Sequence, residues 1–410
     1  MKILAYTAPS KGELFPIIPA LLELRARGHH IAVRTLDECV DDLRTLGLHA
    51  KPLMKNVAAI ALDDWKATTP KDAQARAMQV FGRRAPLDAA DLRSAMDEEQ
   101  PDMLLVDVMA FGAMAAAEAS TLPWAAWLPS PAWLRGPGLA PYGPGLPPLS
   151  GPAGDARNAA IAPFVEGPAR NFVAAANAGR AFVKLAPIDK PEDLLLRPPL
   201  LLYLTAEPFE YPRSSWPSSF VLTGPCPWEP RAEAPTWLSE ERRPIVLVST
   251  SSEFQDDGRL IGTTLTALRG RDDLLVVATV PASDPAAYKC PPNARIEKFV
   301  PHGHVLSRAI AVACHAGMGV TQKALAAGVP VCAVPFGRDQ LEVACRVEVS
   351  GAGVRLPAQD LNEERLRAAL ERTVACRAGA ERIARAFAEA GGAPAAASAV
   401  ERLGGSPRLA

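Results

Sequence analysis

The chain has 410 residues, 49% hydrophobic and 22% charged, with 44 Lys and Arg against 45 Asp and Glu for a net charge of -1. That length exceeds one ordinary hydrophobic core and predicts two domains. The neutral balance argues against nucleic acid or an anionic membrane as partner, because both attract a basic excess.

The seven cysteines are odd in number and form no Cys-x-x-Cys pair, so they read as reduced, buried small hydrophobes of a cytoplasmic protein. The opening MKILAYTAPSKG is too short in apolar run for a signal peptide. No stretch reaches the roughly 18 apolar residues of a membrane span, so no stable membrane insertion is expected.

In chain order, Lys2 to Tyr6 fits a buried parallel strand, Pro16 to Arg27 carries apolar residues at helical spacing before a Gly28 cap, and His30 to Thr35 reads as a second strand. Pro101 to Val108, the Ala-rich run Phe111 to Ser120 and Pro123 to Leu128 repeat the strand–helix–strand pattern. Pro129 to Pro152 is a long Pro/Gly loop, Ala159 to Leu185 is helical, and the Pro-rich run Glu207 to Pro235 interrupts the alternation. Residues 1–215 are therefore expected as one domain and 216–385 as a second.

The second half alternates again: strands at 245–250, 274–280, 295–299, 309–317 and 329–335, with helices at 258–269, around His304 and at 319–328. The expected class is α/β, two facing Rossmann-like, doubly wound domains with an interdomain cleft.

The segment CHAGMGVTQKALAAGVPVCAVPFGRDQ, residues 314 to 340, carries the chemistry. A strand ends at Cys314, and His315, Ala316, Gly317, Met318 and Gly319 form a small-residue turn opening a helix. Free amides and the positive helix end suit a phosphate or diphosphate, and His315 can donate to one of its oxygens. A structural turn fits the glycines alone equally well.

Taken as a set, His315, Gly317, Gly319, Gly328-Val329-Pro330 and Asp339-Gln340 resemble the donor signature of inverting glycosyltransferases of the GT-B fold, especially their bacterial macrolide-type branch. The opening strand–helix–strand unit and IVLVSTSSEFQDDG (245 to 258) resemble the same family, so the likeness spans nearly the whole chain. It implies transfer of a sugar, a hexose or deoxysugar, from a dTDP- or UDP-sugar to a hydrophobic natural-product acceptor in secondary metabolism such as antibiotic biosynthesis. It implies no metal and no cofactor beyond the nucleotide-sugar co-substrate, a monomer or homodimer, and no nucleic-acid partner. Domain one would bind acceptor, domain two donor, and 386–410 would form a helix packing back on domain one.

Residue by residue, the resemblance implies that His315 and the amides of Gly317, Met318, Gly319 and Val320 hold the diphosphate. Asp339 and Gln340 would bind hydroxyls of the sugar, Phe299 and Val300 would border the base, and Thr250 and Ser251 would lie near the phosphates. Three departures matter. Ala316 replaces a glycine, tolerable at negative φ. Val320 replaces a Ser or Thr, with Thr321 as a candidate substitute. Lys323 stands where a ribose-clasping Glu is usual, which favours the deoxyribose of dTDP.

The family's base is a His in a Gly-His-x-x-Pro context, oriented by an Asp. Here Gly12-Glu13-Leu14-Phe15-Pro16 places Glu13 at that position and Asp107 at the partner's. Glu13 is thus the candidate base, with Asp107 tuning it. The competing reading is that Glu13 meets a helix dipole and Asp107 caps the next helix. Phe81, Trp127 and Trp133, with Trp124 and Tyr142, are the candidate acceptor wall. Asp63-Asp64-Trp65 reads as a solvated loop and Asp256-Asp257 as a helix start. A nucleotide-sugar epimerase and a non-catalytic binding protein of the same fold are the alternatives.

Overall fold

The computed structural model describes residues 1–405. Seven parallel strands, β1 (Lys2–Tyr6), β2 (His30–Thr35), β3 (His49–Pro52), β4 (Met103–Asp107), β5 (Trp124–Leu128), β6 (Leu201–Tyr203) and β7 (Phe220–Leu222), lie in the order β3-β2-β1-β4-β5-β6-β7. Six more, β8 (Ile245–Ser249), β9 (Leu275–Thr279), β10 (Ala294–Glu297), β11 (Ala309–Cys314), β12 (Val331–Ala333) and β13 (Gly353–Arg355), form a second parallel sheet ordered β10-β9-β8-β11-β12-β13. Helices cover both faces of each sheet, so β4, β5, β8 and β9 are buried at every position and are apolar save for the final Asp107, Ser249 and Thr279.

This topology positions the site. Chain order reverses between β1 and β4 in the first sheet and between β8 and β11 in the second. Ligands of open α/β sheets bind beyond the carboxyl ends of the strands at such reversals. Glu13 follows β1 and Asp107 ends β4; Thr250, Ser251 and His315 follow β8 and β11.

The expected boundary at 215 falls too early, because Phe220–Leu222 pairs with β6 as the last strand of the first sheet. The helix expected from Ala159 starts at Pro152, whose fixed φ suits a first helical turn, and ends at Phe182. The helix Gly392–Gly404 packs on the first domain, its Ala396, Ala397 and Val400 sharing a core with Ile18, Leu21 and Leu24. The end of the expected tail segment, 406–410, lies outside the described residues. Among the described residues no helix is long and apolar enough to cross a membrane.

A buried ion network also joins the domains. Arg346, on the helix Gln340–Val349, donates to both oxygens of Glu210 and to Glu342 Oε2 (3.1 Å). Glu342 Oε1 in turn accepts the amides of Gly143 (2.8 Å) and Gly145 (3.0 Å) in the Pro/Gly loop. Gly145 has φ +61, and a Cβ there would lie 2.2 Å from the Leu341 carbonyl oxygen, so only glycine lets the loop dock this closely.

Candidate active site

On the first-domain wall, Ser10 caps a short helical turn by accepting the Gly12 amide (3.2 Å), which turns Glu13 toward the cleft. The Trp127 indole donates to the Glu13 carbonyl (3.1 Å) and fixes its backbone. Glu13 Oε2 is shielded from solvent and has no hydrogen-bond partner. Asp107 accepts the amides of Ala8 (2.8 Å) and Met109 (2.8 Å), and Ala110, not Asp107, occupies the N-cap of the helix Phe111–Glu118. Burial pushes the Glu13 carboxyl well above the usual carboxylate range, and Asp107, hydrogen-bonded to it, pushes it further. Burial also raises Asp107 to about 6, against the pull of its two amide donors.

On the opposite wall, His315 is buried and its Nδ1 has no hydrogen-bond partner. Burial holds its pKa below the ordinary histidine value, so the ring is neutral and can offer a single N–H. Gly317 is the N-cap of the helix Met318–Ala326 with extended backbone and no side-chain cap, leaving the first-turn amides for a ligand. Beside the ring, a Cβ on Gly317 would lie 2.2 Å from His315 Nε2.

Two expectations are corrected here. Ala316 has φ +63, not negative, so the turn is built in a region an alanine occupies only under strain. Thr321 is fully buried, its hydroxyl against Cys314 Sγ (3.7 Å), because its helical position faces the sheet; it does not replace the missing Ser or Thr at Val320. Met318 likewise turns its side chain into the core, leaving its backbone at the helix start.

Thr250 and Ser251 lie just beyond β8, both buried beside the switch point. Phe299 is 47% exposed at the cleft edge while the Val300 side chain fills the core. Lys323 pairs with Glu229 (2.9 Å), whose Oε2 also accepts the His302 amide and whose Oε1 accepts the Gly303 amide.

At the sugar end, burial raises Asp339 to about 6. Gln340 is committed elsewhere: Oε1 accepts the amides of Phe336 (2.8 Å) and Gly337 (3.1 Å), and Nε2 donates to Gln255 Oε1 (2.7 Å). Through these bonds Gln340 shapes the loop that carries Asp339. Arg338, at φ +54, makes a two-pronged ion pair with Asp64 across the cleft (2.9 and 3.1 Å). Asp64 is therefore a buried interdomain contact and not a solvated loop residue. Next to it Trp65 meets Phe254 edge to face at 5.0 Å.

Two of the three residues expected to wall the acceptor, Trp127 and Trp133, are buried, while Phe81 is half-buried. Trp127 is fully buried because β5 is covered on both faces, and Trp133 packs in the core with its indole on the Pro191 carbonyl. Phe81 leans on Phe111 at 5.5 Å in the same core. An open groove of about 550 Å³ runs between the loop at 59–66 and the helix Pro70–Glu99, lined by Ile60, Trp65, Val80 and Arg83 among others. Among the described residues no group of three or more metal-ligating side chains is assembled.

Residues 263–404 match the family described as erythromycin biosynthesis protein CIII-like, C-terminal domain. Over 386 residues the chain is 30% identical to 4'-demethylrebeccamycin synthase of Lentzea aerocolonigenes, covering 90% of each chain. The chain belongs to this family of GT-B glycosyltransferases. As a glycosyltransferase it moves a sugar from a nucleotide-sugar donor to a small-molecule acceptor.

The glycosyltransferase also shares its fold with the solved glycotransferase of kitacinnamycin (TM-score 0.75, 24% identity, 98% of both chains). A second such structure is the glycosyltransferase VinC in complex with dTDP (TM-score 0.68, 23% identity, 98% of both chains). Sequence reasoning missed Glu229, Glu253, Gln255 and Arg338 in this enzyme, read Asp64 as a solvated loop residue and read Asp257 only as a helix start. The one local signal was position: SSEFQDDG follows a strand that borders a switch point.

Proposed function

We propose that this glycosyltransferase inverts the anomeric centre, takes a deoxysugar from dTDP in preference to UDP, and uses Glu13 as the base that deprotonates a hydrophobic acceptor. The observation that carries this reading is the buried, unpartnered Oε2 of Glu13 at the first switch point, with Asp107 behind it and the carboxylate of Asp339 close enough to raise its pKa further. The acceptor oxygen forms the new bond to the anomeric carbon as its proton passes to Glu13. The bond to the diphosphate oxygen breaks on the far face, and its electron pair leaves with the nucleotide. Neutral His315 and the amides at Gly317 to Val320 receive that charge.

The donor preference rests on Glu229 and Lys323. Lys323 cannot accept a ribose hydroxyl, and both oxygens of Glu229 are engaged by Lys323 and the amides of His302 and Gly303. A sugar with one hydroxyl fewer fits that economy of acceptors, and VinC with its bound dTDP offers a parallel.

The test is calorimetric titration with dTDP and UDP. Tighter binding of dTDP, lost in His315→Ala, is expected; tighter UDP binding, or binding indifferent to His315, defeats the donor assignment. Near-normal turnover in Glu13→Gln defeats the base, and retention at the anomeric carbon, read by NMR of the glycoside, defeats inversion.

A further inference from the structure

The loop from Ser251 to Asp257 closes over the donor side of the cleft, making one contact from nearly every residue. Glu253 pairs with Arg338 (3.5 Å), Phe254 meets Trp65, and Gln255 accepts from Gln340 Nε2 (2.7 Å). Asp256 adopts φ +57. That turn sends the next side chain inward: Asp257 Oδ2 accepts the Ser251 amide (2.7 Å) and stands 4.0 Å from His315 Nδ1.

Asp257 is 7% exposed and His315 8%, so this carboxylate and this ring face one another out of water. No Lys or Arg pairs with Asp257 among the described residues; its remaining neighbour is the Gln255 amide at 3.4 Å. A buried carboxylate without a cation is costly, and a buried imidazole nitrogen without a partner is a second deficit at the same spot. The two deficits share one site. The Ser251 amide, His315 and the uncapped N-terminus of Met318–Ala326 converge beyond β8 and β11, where an anion is drawn by three donors.

We propose that Asp257 is a resident anion in the donor's diphosphate site, competing with the nucleotide for the Ser251 amide and for His315 and so setting donor affinity. The inference rests on the donor-site reading above. When the diphosphate enters, the Asp257 carboxylate withdraws and the Ser251 N–H and the free His315 nitrogen turn to phosphate oxygens. Gln255 hydrogen-bonds both Asp257 and Gln340, so the exchange is relayed to the loop that presents Asp339. Asp257 is a positioning and competing group here and touches no reacting atom.

Asp257→Asn separates charge from shape, because an amide oxygen still accepts the Ser251 N–H and keeps the loop. Titrating dTDP, inorganic pyrophosphate and thymidine into the purified enzyme and this variant gives the readout, with Asp257→Ser in reserve should the first variant misfold. The expectation is about tenfold tighter dTDP and pyrophosphate binding in Asp257→Asn, with thymidine unchanged. Wild-type binding of dTDP with no gain in the variant, or an equal gain for thymidine, overturns the competing role and leaves the donor site standing. Failure of both proteins to bind any nucleoside diphosphate overturns the donor site and this inference with it.

Discussion

Asp107 rests its carboxyl against that of Glu13 while accepting the amides of Ala8 and Met109. Those two donors hold the negative charge on Asp107, so the proton shared by the pair settles on Glu13. Glu13 is then ionised only above the ordinary carboxylate range, which makes it a stronger base when it is free. Turnover at limiting acceptor should rise with pH through a transition above the ordinary carboxylate range and flatten beyond it. Glu13→Gln should lower kcat by about 10²- to 10⁴-fold with dTDP affinity unchanged. Asp107→Asn should move the transition to lower pH, because the neighbouring charge is gone; a transition that stays put contradicts the pairing.

Ala316 at φ +63 sits where glycine is unstrained. Ala316→Gly should raise stability by about 1 kcal/mol, the relief of left-handed strain exceeding the extra chain entropy of glycine. A denaturant midpoint that falls would show that the Ala316 methyl, fully buried in the core, matters more than its backbone.

Arg346 neutralises two carboxylates that are themselves buried, Glu210 and Glu342. Arg346→Met keeps the volume and removes the charge, and should destabilise the enzyme by about 3–5 kcal/mol. Adding Glu210→Gln and Glu342→Gln should recover most of that loss. Stability without such recovery would locate the effect in packing, since the guanidinium also lies 4.3 Å from the centre of the Tyr211 ring.

Asp88 lies behind the site, buried, with the Tyr6 hydroxyl donating to it from 3.4 Å, and its burial raises its pKa to about 8. Its folded pKa exceeds the unfolded value, so its contribution to stability is complete below the unfolded pKa of about 4 and is lost as pH rises through about 8. Between those limits the loss runs at about 1.4 kcal/mol per pH unit. Asp88→Asn should remove that slope in urea titrations from pH 5 to 8; parallel curves for the two proteins contradict a raised Asp88.

Much of this was legible because parallel strands buried on both faces leave long apolar runs: β1 and β2 lie at the expected residues, and β8, β9 and β11 within the expected segments. The strand–helix alternation alone puts Glu13, Asp107, Ser251 and His315 at or just past the carboxyl ends of strands. The short edge strands β3 and β13, HAKP and GVR, carry too few apolar residues to announce themselves. Direction was harder than position. Thr321 and Trp127 belong to elements near the cleft, yet helical phase and two-sided burial turn both inward. Asp64 and Arg338 are 274 residues apart, and no local pattern reports a contact that exists only once two domains have docked.

The last helix belongs structurally to the first domain, so the polypeptide passes between the halves twice. Both passages lie side by side, where the Gly392 amide donates to the Thr223 carbonyl (2.6 Å) and Gly224, Gly391 and Gly392 all take positive φ. Neither half is therefore a cassette with a single seam. A chimaera that exchanges the donor half for that of a relative must be spliced at both passages, one near 224 and one near 391, or the first domain will receive the relative's last helix in place of the one that completes its core.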